Sequence, residues 1–309
     1  MYEAKMSVTT NTAYATAKSF TANRWFSALK LGLRSLERMS TPLAARAAAG
    51  VFLTPVPTKL AVRHIAPPPQ VRIERVPFES ASITAYHWPA PADAPTVLLV
   101  HGWGGWGLQF AAVAQALSDA GYAAIALDMP GHGRSDGWQS TLPQFARAVH
   151  YMAARHAGES GAVHGVIAHS MGAAASAIAV SRGMRVGAFV SVASPTSAVQ
   201  VTHEYASAFR LSESTRQAMV RWIEAREGVV FAQLDAQYTA RSTAQLPMLL
   251  VHDEADKVVP YVHAQQLQRL NPQAKLLTTQ GLGHQRLLKS PEVVQAVLLF
   301  IQSRCMITT

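Results

Sequence analysis

Val166-Ile167-Ala168-His169-Ser170-Met171-Gly172-Ala173-Ala174 reads as a buried strand that ends on a serine and turns at once into a helix of small residues. A turn that tight throws the serine hydroxyl out above the strand end. Its flanks must be small because the strand and helix backbones converge there. The first small position is Ala168, where a G-x-S-x-G turn would carry glycine. The plainer reading is a strand–loop–helix joint in which Ser170 merely caps the helix.

Three other segments bear on that choice. The apolar run Thr96-Val97-Leu98-Leu99-Val100 leads into His101-Gly102-Trp103-Gly104-Gly105, and a glycine-rich loop after a parallel strand leaves backbone N–H groups aimed above the sheet. Val251-His252-Asp253-Glu254-Ala255-Asp256-Lys257-Val258-Val259-Pro260 is an acidic loop directly after a strand pattern. Gly281-Leu282-Gly283-His284 puts a histidine on a glycine loop after the last strand pattern. A serine nucleophile needs a base for its proton, and an imidazole base needs a carboxylate to fix its tautomer. Each segment alone is equally a helix-capping acid, a surface histidine or a chain reversal. Together, in the order serine, acid, histidine, they point to nucleophilic catalysis.

The organisation of the chain agrees. Alternating patterns at 71–76 and 82–88 predict an antiparallel start to a sheet. Short apolar runs at 96–100, 122–127, 163–168, 186–192, 247–251 and 274–277 predict buried parallel strands. Helical patterns fall between them, near 108–120, 143–156, 171–182, 261–270 and 291–303, so the expected fold is an α/β sheet with helices on both faces. Residues 195–245 are too long for a connection and predict a helical cap. Before residue 70 lies an extension, residues 1–69. Its first 22 residues are rich in Thr, Ala and Ser. In its next part Phe26, Leu29, Leu33 and Leu36 recur at helical spacing, with Lys30, Arg34 and Arg38 on another face. That basic amphipathic helix at 24–40 is read either as docked on the domain or as a peripheral membrane contact. Pro42 and Thr54-Pro55-Val56-Pro57 interrupt the pattern, and Pro67-Pro68-Pro69 reads as a linker.

With these segments in place, the region from about 70 to 305 resembles the α/β-hydrolase superfamily, in particular its serine esterase, monoglyceride-lipase-like and serine-aminopeptidase-like members. Asp128-Met129-Pro130-Gly131-His132-Gly133-Arg134-Ser135 is similar to the structural D-x-P-G-H-G-x-S loop of that family. The resemblance implies Ser170 as nucleophile, His284 as general base and Asp256 as triad acid, with the N–H groups of Trp103 and Met171 forming an oxyanion hole. Asp253 stands where the family often has glycine. The implied activity is hydrolysis of a carboxylic ester without a cofactor. An amidase, a C–C hydrolase or an acyltransferase would use the same residues. Trp103, Trp106, Phe110 and Trp222, with Phe231 and Tyr238, are candidates for an apolar substrate pocket. A binding protein without activity on the same fold is the alternative from another class.

Composition narrows the field further. The 309 residues suit either two domains or one α/β domain with an extension. At 49% hydrophobic and 15% charged, the chain has too much apolar content for an intrinsically disordered protein. Its net charge of +9 is unevenly placed: residues 1–70 carry nine basic and two acidic side chains, the remaining 239 carry 18 and 16. The main domain is thus almost neutral, which argues against a nucleic-acid partner. The histidines lack the spacing of a metal site. The single cysteine, Cys305, cannot form an intrachain disulfide. With no signal-like or membrane-spanning run, the expected location is the cytoplasm. Oligomeric state is not legible.

Overall fold

The structure, a computed structural model, describes residues 24–55 and 58–303. The polar stretch 1–22 and Cys305 lie outside the described residues. Eight strands form one sheet in the order β1-β2-β4-β3-β5-β6-β7-β8. They are β1 (Arg72–Phe78), β2 (Ala81–His87), β3 (Thr96–Val100), β4 (Ala123–Asp128), β5 (Val163–His169), β6 (Val186–Val192), β7 (Met248–Asp253) and β8 (Lys275–Thr279). β2 runs antiparallel to both its neighbours, and every pairing from β4 to β8 is parallel. The apolar runs are explained by their position. Val97 to Val100 and Val166 to Ala168 are sealed on both faces of the sheet, where a parallel strand has no solvent side to alternate toward.

Helices cover both faces. In chain order they are α1 (Arg24–Met39), α2 (Thr41–Phe52), α3 (Thr58–Val62), α4 (Ala111–Asp119), α5 (Leu142–Arg155), α6 (Met171–Ser181), α7 (Ala198–Phe209), α8 (Glu213–Glu227), α9 (Ala236–Thr243), α10 (Val262–Leu270), α11 (Gly283–Arg286) and α12 (Pro291–Gln302). The apolar faces of α5, α6 and α2 share one cluster with Leu98, Val166 and Phe189; α4 and α12 share a second, with Leu99, Ile167 and Val190. Side chains that alternate across the sheet thus feed two separate cores. The segment between β6 and β7 folds as helices α7, α8 and α9, matching the expected cap.

The N-terminal extension packs on that cap. Leu33 is 2% exposed, and Phe26 and Leu29 pack against the same cluster. The Phe26 and Phe209 rings meet at a tilt, 4.8 Å between centroids, Phe52 meets Tyr205 edge-on at 5.0 Å, and the Tyr205 hydroxyl donates to the Ala48 carbonyl at 2.9 Å. Phe26, Leu29 and Leu33 of α1 thus face the protein. One departure from the sequence expectation is α2 itself. Pro42, expected to interrupt the pattern, sits in the first turn of a helix, where no intrahelical N–H is needed and the fixed φ of proline suits the start. The buried Ala44, Ala45, Ala48 and Ala49 let α2 approach α8 closely. No described helix is long and apolar enough to cross a membrane.

Candidate active site

β3, β5, β7 and β8 all end on the same edge of the sheet, and their following loops converge. Ser170 follows β5 with φ +53° and ψ −125°, a backbone state that only surrounding packing can enforce in a residue with a Cβ. Its N–H donates to the Val192 carbonyl at 2.8 Å, which ties the turn to β6. Gly172 shows why the next position is small: a Cβ there would lie 2.4 Å from the His101 carbonyl oxygen and 2.7 Å from that of Val100. Gly102 is equally constrained, since a Cβ would meet the Ser170 Cβ at 2.7 Å. Ala168, in place of glycine, is fully buried and accommodated.

Ser170 does not cap α6 with its side chain. Its hydroxyl lies 3.1 Å from His284 Nε2, and His284 Nδ1 lies 2.7 Å from Asp256 Oδ2. The other carboxylate oxygen of Asp256 accepts N–H bonds from Val258 at 2.8 Å and Val259 at 2.9 Å. Burial pushes the Asp256 carboxyl up, but the hydrogen bonds from His284, Val258 and Val259 outweigh it, and the group is held below the usual carboxylate range. An ionised acid, an imidazole and a hydroxyl are therefore in line.

Asp253 has a different place. It is fully buried, and its two oxygens accept from the N–H groups of Ala255, Leu282 and Gly283 and from the Thr279 hydroxyl, all between 2.8 and 3.0 Å. It holds the loop that carries His284 and does not touch the imidazole.

Three further histidines shape the site, and the sequence reading assigns them no role there. His169 Nε2–H donates to the His284 carbonyl at 2.8 Å. His101 Nδ1–H donates to the Gly102 carbonyl at 2.6 Å and its Nε2 accepts the Met129 N–H at 3.0 Å. His132 Nδ1–H donates to the Pro130 carbonyl at 2.9 Å and its Nε2 accepts the Gly104 N–H at 3.1 Å. Burial lowers all three: His132 to about 4, His169 to about 3, His101 well below its ordinary value. Each is a neutral ring of fixed tautomer that pins a loop. The signal for them was their position at strand ends, but a ring's partners depend on loops distant in sequence. The loop holding His132 is itself anchored from the extension, where Lys59 donates to the carbonyls of Ser135 and Gly137.

The open cleft over Ser170 is lined by Gly102, Trp103, Gly105, Gln109, His169, Ser170, His284 and Gln285. This corrects the expected aromatic pocket. Trp103 is there, 39% exposed and edge-on to His132 at 5.0 Å. Trp106 and Phe110 are buried in the core, at 1% and 0% exposed. Both belong to the segment that turns from the glycine loop into a short 3₁₀ helix (Gly107–Phe110), and both join the core cluster of Leu99 and Ile167. Trp222 packs on the cap with Arg226 over its ring at 5.7 Å, Phe231 is core and Tyr238 faces solvent. Gln109, which sequence reasoning missed, lines the cleft instead. A second cavity of about 400 Å³, between α6 and α9, is lined by Ala173, Ala177, Leu234, Thr239 and Asn271 and does not include Ser170 or His284. Among the described residues no cluster of His, Cys, Asp or Glu has the makings of a metal site.

Sequence models of known families place the chain. One described as the alpha/beta hydrolase fold matches residues 95–224, and one described as TAP-like protein matches residues 230–304. The chain belongs to the α/β-hydrolase superfamily. The two matches to this α/β hydrolase run from just before β3 to beyond α12, and so include Ser170, Asp256 and His284. Among solved structures it is similar to the thioesterase domain from the curacin biosynthetic pathway, at 19% identity over 75% of this chain and 99% of that one, TM-score 0.55. An esterase of Pyrococcus furiosus matches at 18% identity over 75% and 90%, TM-score 0.54. A bromoperoxidase from Bacillus anthracis matches at 19% over 75% and 100%, TM-score 0.56. Identities of this order show the fold and nothing finer. No curated protein matches the chain in sequence.

Proposed function

We propose that this α/β hydrolase cleaves a carboxylic ester through an acyl-enzyme formed on Ser170. The observation that carries the reading is the unbroken run from Asp256 through His284 to Ser170, at 2.7 and 3.1 Å. In the acylation step Ser170 Oγ attacks the ester carbonyl carbon while His284 Nε2 takes the hydroxyl proton. Asp256 holds Nδ1 protonated and stabilises the imidazolium. The carbonyl oxygen becomes an oxyanion, for which the N–H groups of Trp103 and Met171 are the proposed donors. Each such donor is worth about 2.7–4 kcal/mol in a preorganised site. The close approach of Gly102 to Ser170 and the start of α6 at Met171 support that assignment. Collapse of the intermediate expels the alcohol, which receives the proton from His284. Water, activated by the same imidazole, then releases the acid.

The lining of the cleft by Gly102, Gly105 and Gln109 beside Trp103, in place of the expected aromatic wall, supports a short acyl group. The reading is tested with an active-site-directed fluorophosphonate. One covalent adduct, located by mass spectrometry on the peptide carrying Ser170, is the expected result. Labelling of another serine, or none on folded protein, would overturn it.

A further inference from the structure

Gln109 is 94% buried, yet it opens on the cleft beside Ser170. Its side-chain oxygen accepts the Trp106 N–H at 3.0 Å, which fixes the orientation of the amide. The nitrogen, Nε2, then has no hydrogen-bond partner among the described residues. It is also not among the polar atoms sealed away from the surface without a partner, so the cleft is where its N–H groups can be satisfied. The neighbouring chain makes room for this arrangement: a Cβ at Gly105 would lie 2.4 Å from the Gln109 side-chain oxygen and 2.9 Å from the Gly102 carbonyl oxygen. A buried amide donor held in place and left unpaired is costly unless something accepts from it.

The sheet order says which part of a substrate that is. β5, which presents Ser170, lies between β3 on one side and β6, β7 and β8 on the other. His284 approaches from the β8 side, and the leaving oxygen must sit by its Nε2 to receive the proton. The wall on the β3 side, made by Gly102, Gly105 and Gln109, lies away from the leaving oxygen and beside the proposed oxyanion donor Trp103, where the acyl chain on the same carbonyl carbon passes. We propose that Gln109 is a specificity-determining residue that donates a hydrogen bond to an oxygen in a short acyl chain. The substrate class is a small ester with an alkoxy, hydroxyl or oxo group near the scissile carbonyl. The proposal rests on the ester-hydrolase reading above.

The test uses two esters of nearly equal shape, p-nitrophenyl methoxyacetate and p-nitrophenyl butyrate, in which one chain oxygen replaces one methylene. The quantity read is the ratio of their kcat/KM values. For the wild type it should exceed the ratio of their hydroxide-catalysed rate constants by about 10-fold, the worth of one good hydrogen bond. Gln109→Met removes the donor. Gln109→Glu removes it while keeping an acceptor for the Trp106 N–H. Both should lower the ratio by about 10-fold, since the intrinsic reactivity of the esters cancels in the comparison. A purely structural role would slow both esters together and leave the ratio at its wild-type value, which would overturn the proposal. If both variants are unfolded, a wild-type ratio no greater than the hydroxide ratio overturns it by itself. Hydrolysis of neither ester by the wild type would overturn the ester-hydrolase reading, and this proposal with it.

Discussion

The rings of His169 and His284 lie 4.6 Å apart, and the His169 Nε2–H donates 2.8 Å to the His284 backbone carbonyl. The residue just before the serine thus holds the residue that would deprotonate it, although 115 positions separate them in sequence. Because burial keeps His169 neutral, it does this without placing a positive charge against the His284 ring.

His169 is accordingly expected to act as a positioning residue. His169→Ala should lower kcat about 10- to 100-fold with little change in KM, since small displacements of a base are that costly. His169→Phe, which can restore the ring contact but not the hydrogen bond, should fall between the wild type and His169→Ala. Steady-state kinetics on a p-nitrophenyl ester checks the order. Equal activity of all three proteins would remove His169 from the mechanism.

Asp256 and Asp253 are distinguished by what they touch. Asp256→Asn should lower kcat about 10⁴-fold with the fold intact, as when the base loses its tautomer control. Asp253→Asn puts an amide among four donors, so at least one N–H or hydroxyl faces another donor. Its cost should appear as roughly 1–3 kcal/mol of stability, with a smaller loss of activity through the loop of His284. Urea unfolding measured beside kinetics separates the two effects. A folded, fully active Asp256→Asn would contradict the assignment of the acid.

Acid should destabilise the protein well before its carboxylates protonate. His101, His132 and His169 are buried neutral, with folded values far below the ordinary value near 6.5. As pH falls below 6.5 the unfolded chain takes up protons at these positions that the folded chain refuses, so stability decreases with falling pH. The contribution is complete above pH 6.5 and is lost progressively toward about 4, and toward about 3 for His169. Below that the depressed carboxyls of Asp253 and Asp256 continue the same trend. Urea midpoints at intervals from pH 7.5 to 4.5 should fall steadily below 6.5. A flat profile would show that these rings open to water.

Removing residues 1–60 should destabilise the domain. It deletes Leu33 and the alanine face of α2 from the cap interface, and Lys59 from its carbonyl pair. At about 1.5–3 kcal/mol for each large buried side chain, the midpoint of thermal unfolding should drop by about 5–10 °C. Unchanged stability together with lost binding to anionic vesicles would instead favour the membrane-contact reading of this helix.

What the sequence alone determined was whatever local pattern encodes. Eight strands were readable from runs such as 96–100 and 163–168, because burial on both faces requires continuous apolar residues. Ser170 stood out because a strand meeting a helix that closely permits only small neighbours. The helix at α2 was not read, since a proline that starts a helix and one that ends it look the same without the surrounding chain. Tertiary structure alone decided which of several similar residues reach the cleft. Trp103, Trp106 and Phe110 lie within eight positions, yet one faces the cleft and two face the core, because the 3₁₀ turn rotates them apart. Asp256 rather than Asp253 meets His284 because Asp253 is already held by four donors. Gln109 emerges only when Gly105, β5 and the loop of Ser170 are brought beside it: its free N–H belongs to the packing of distant segments, which no run of neighbouring residues specifies.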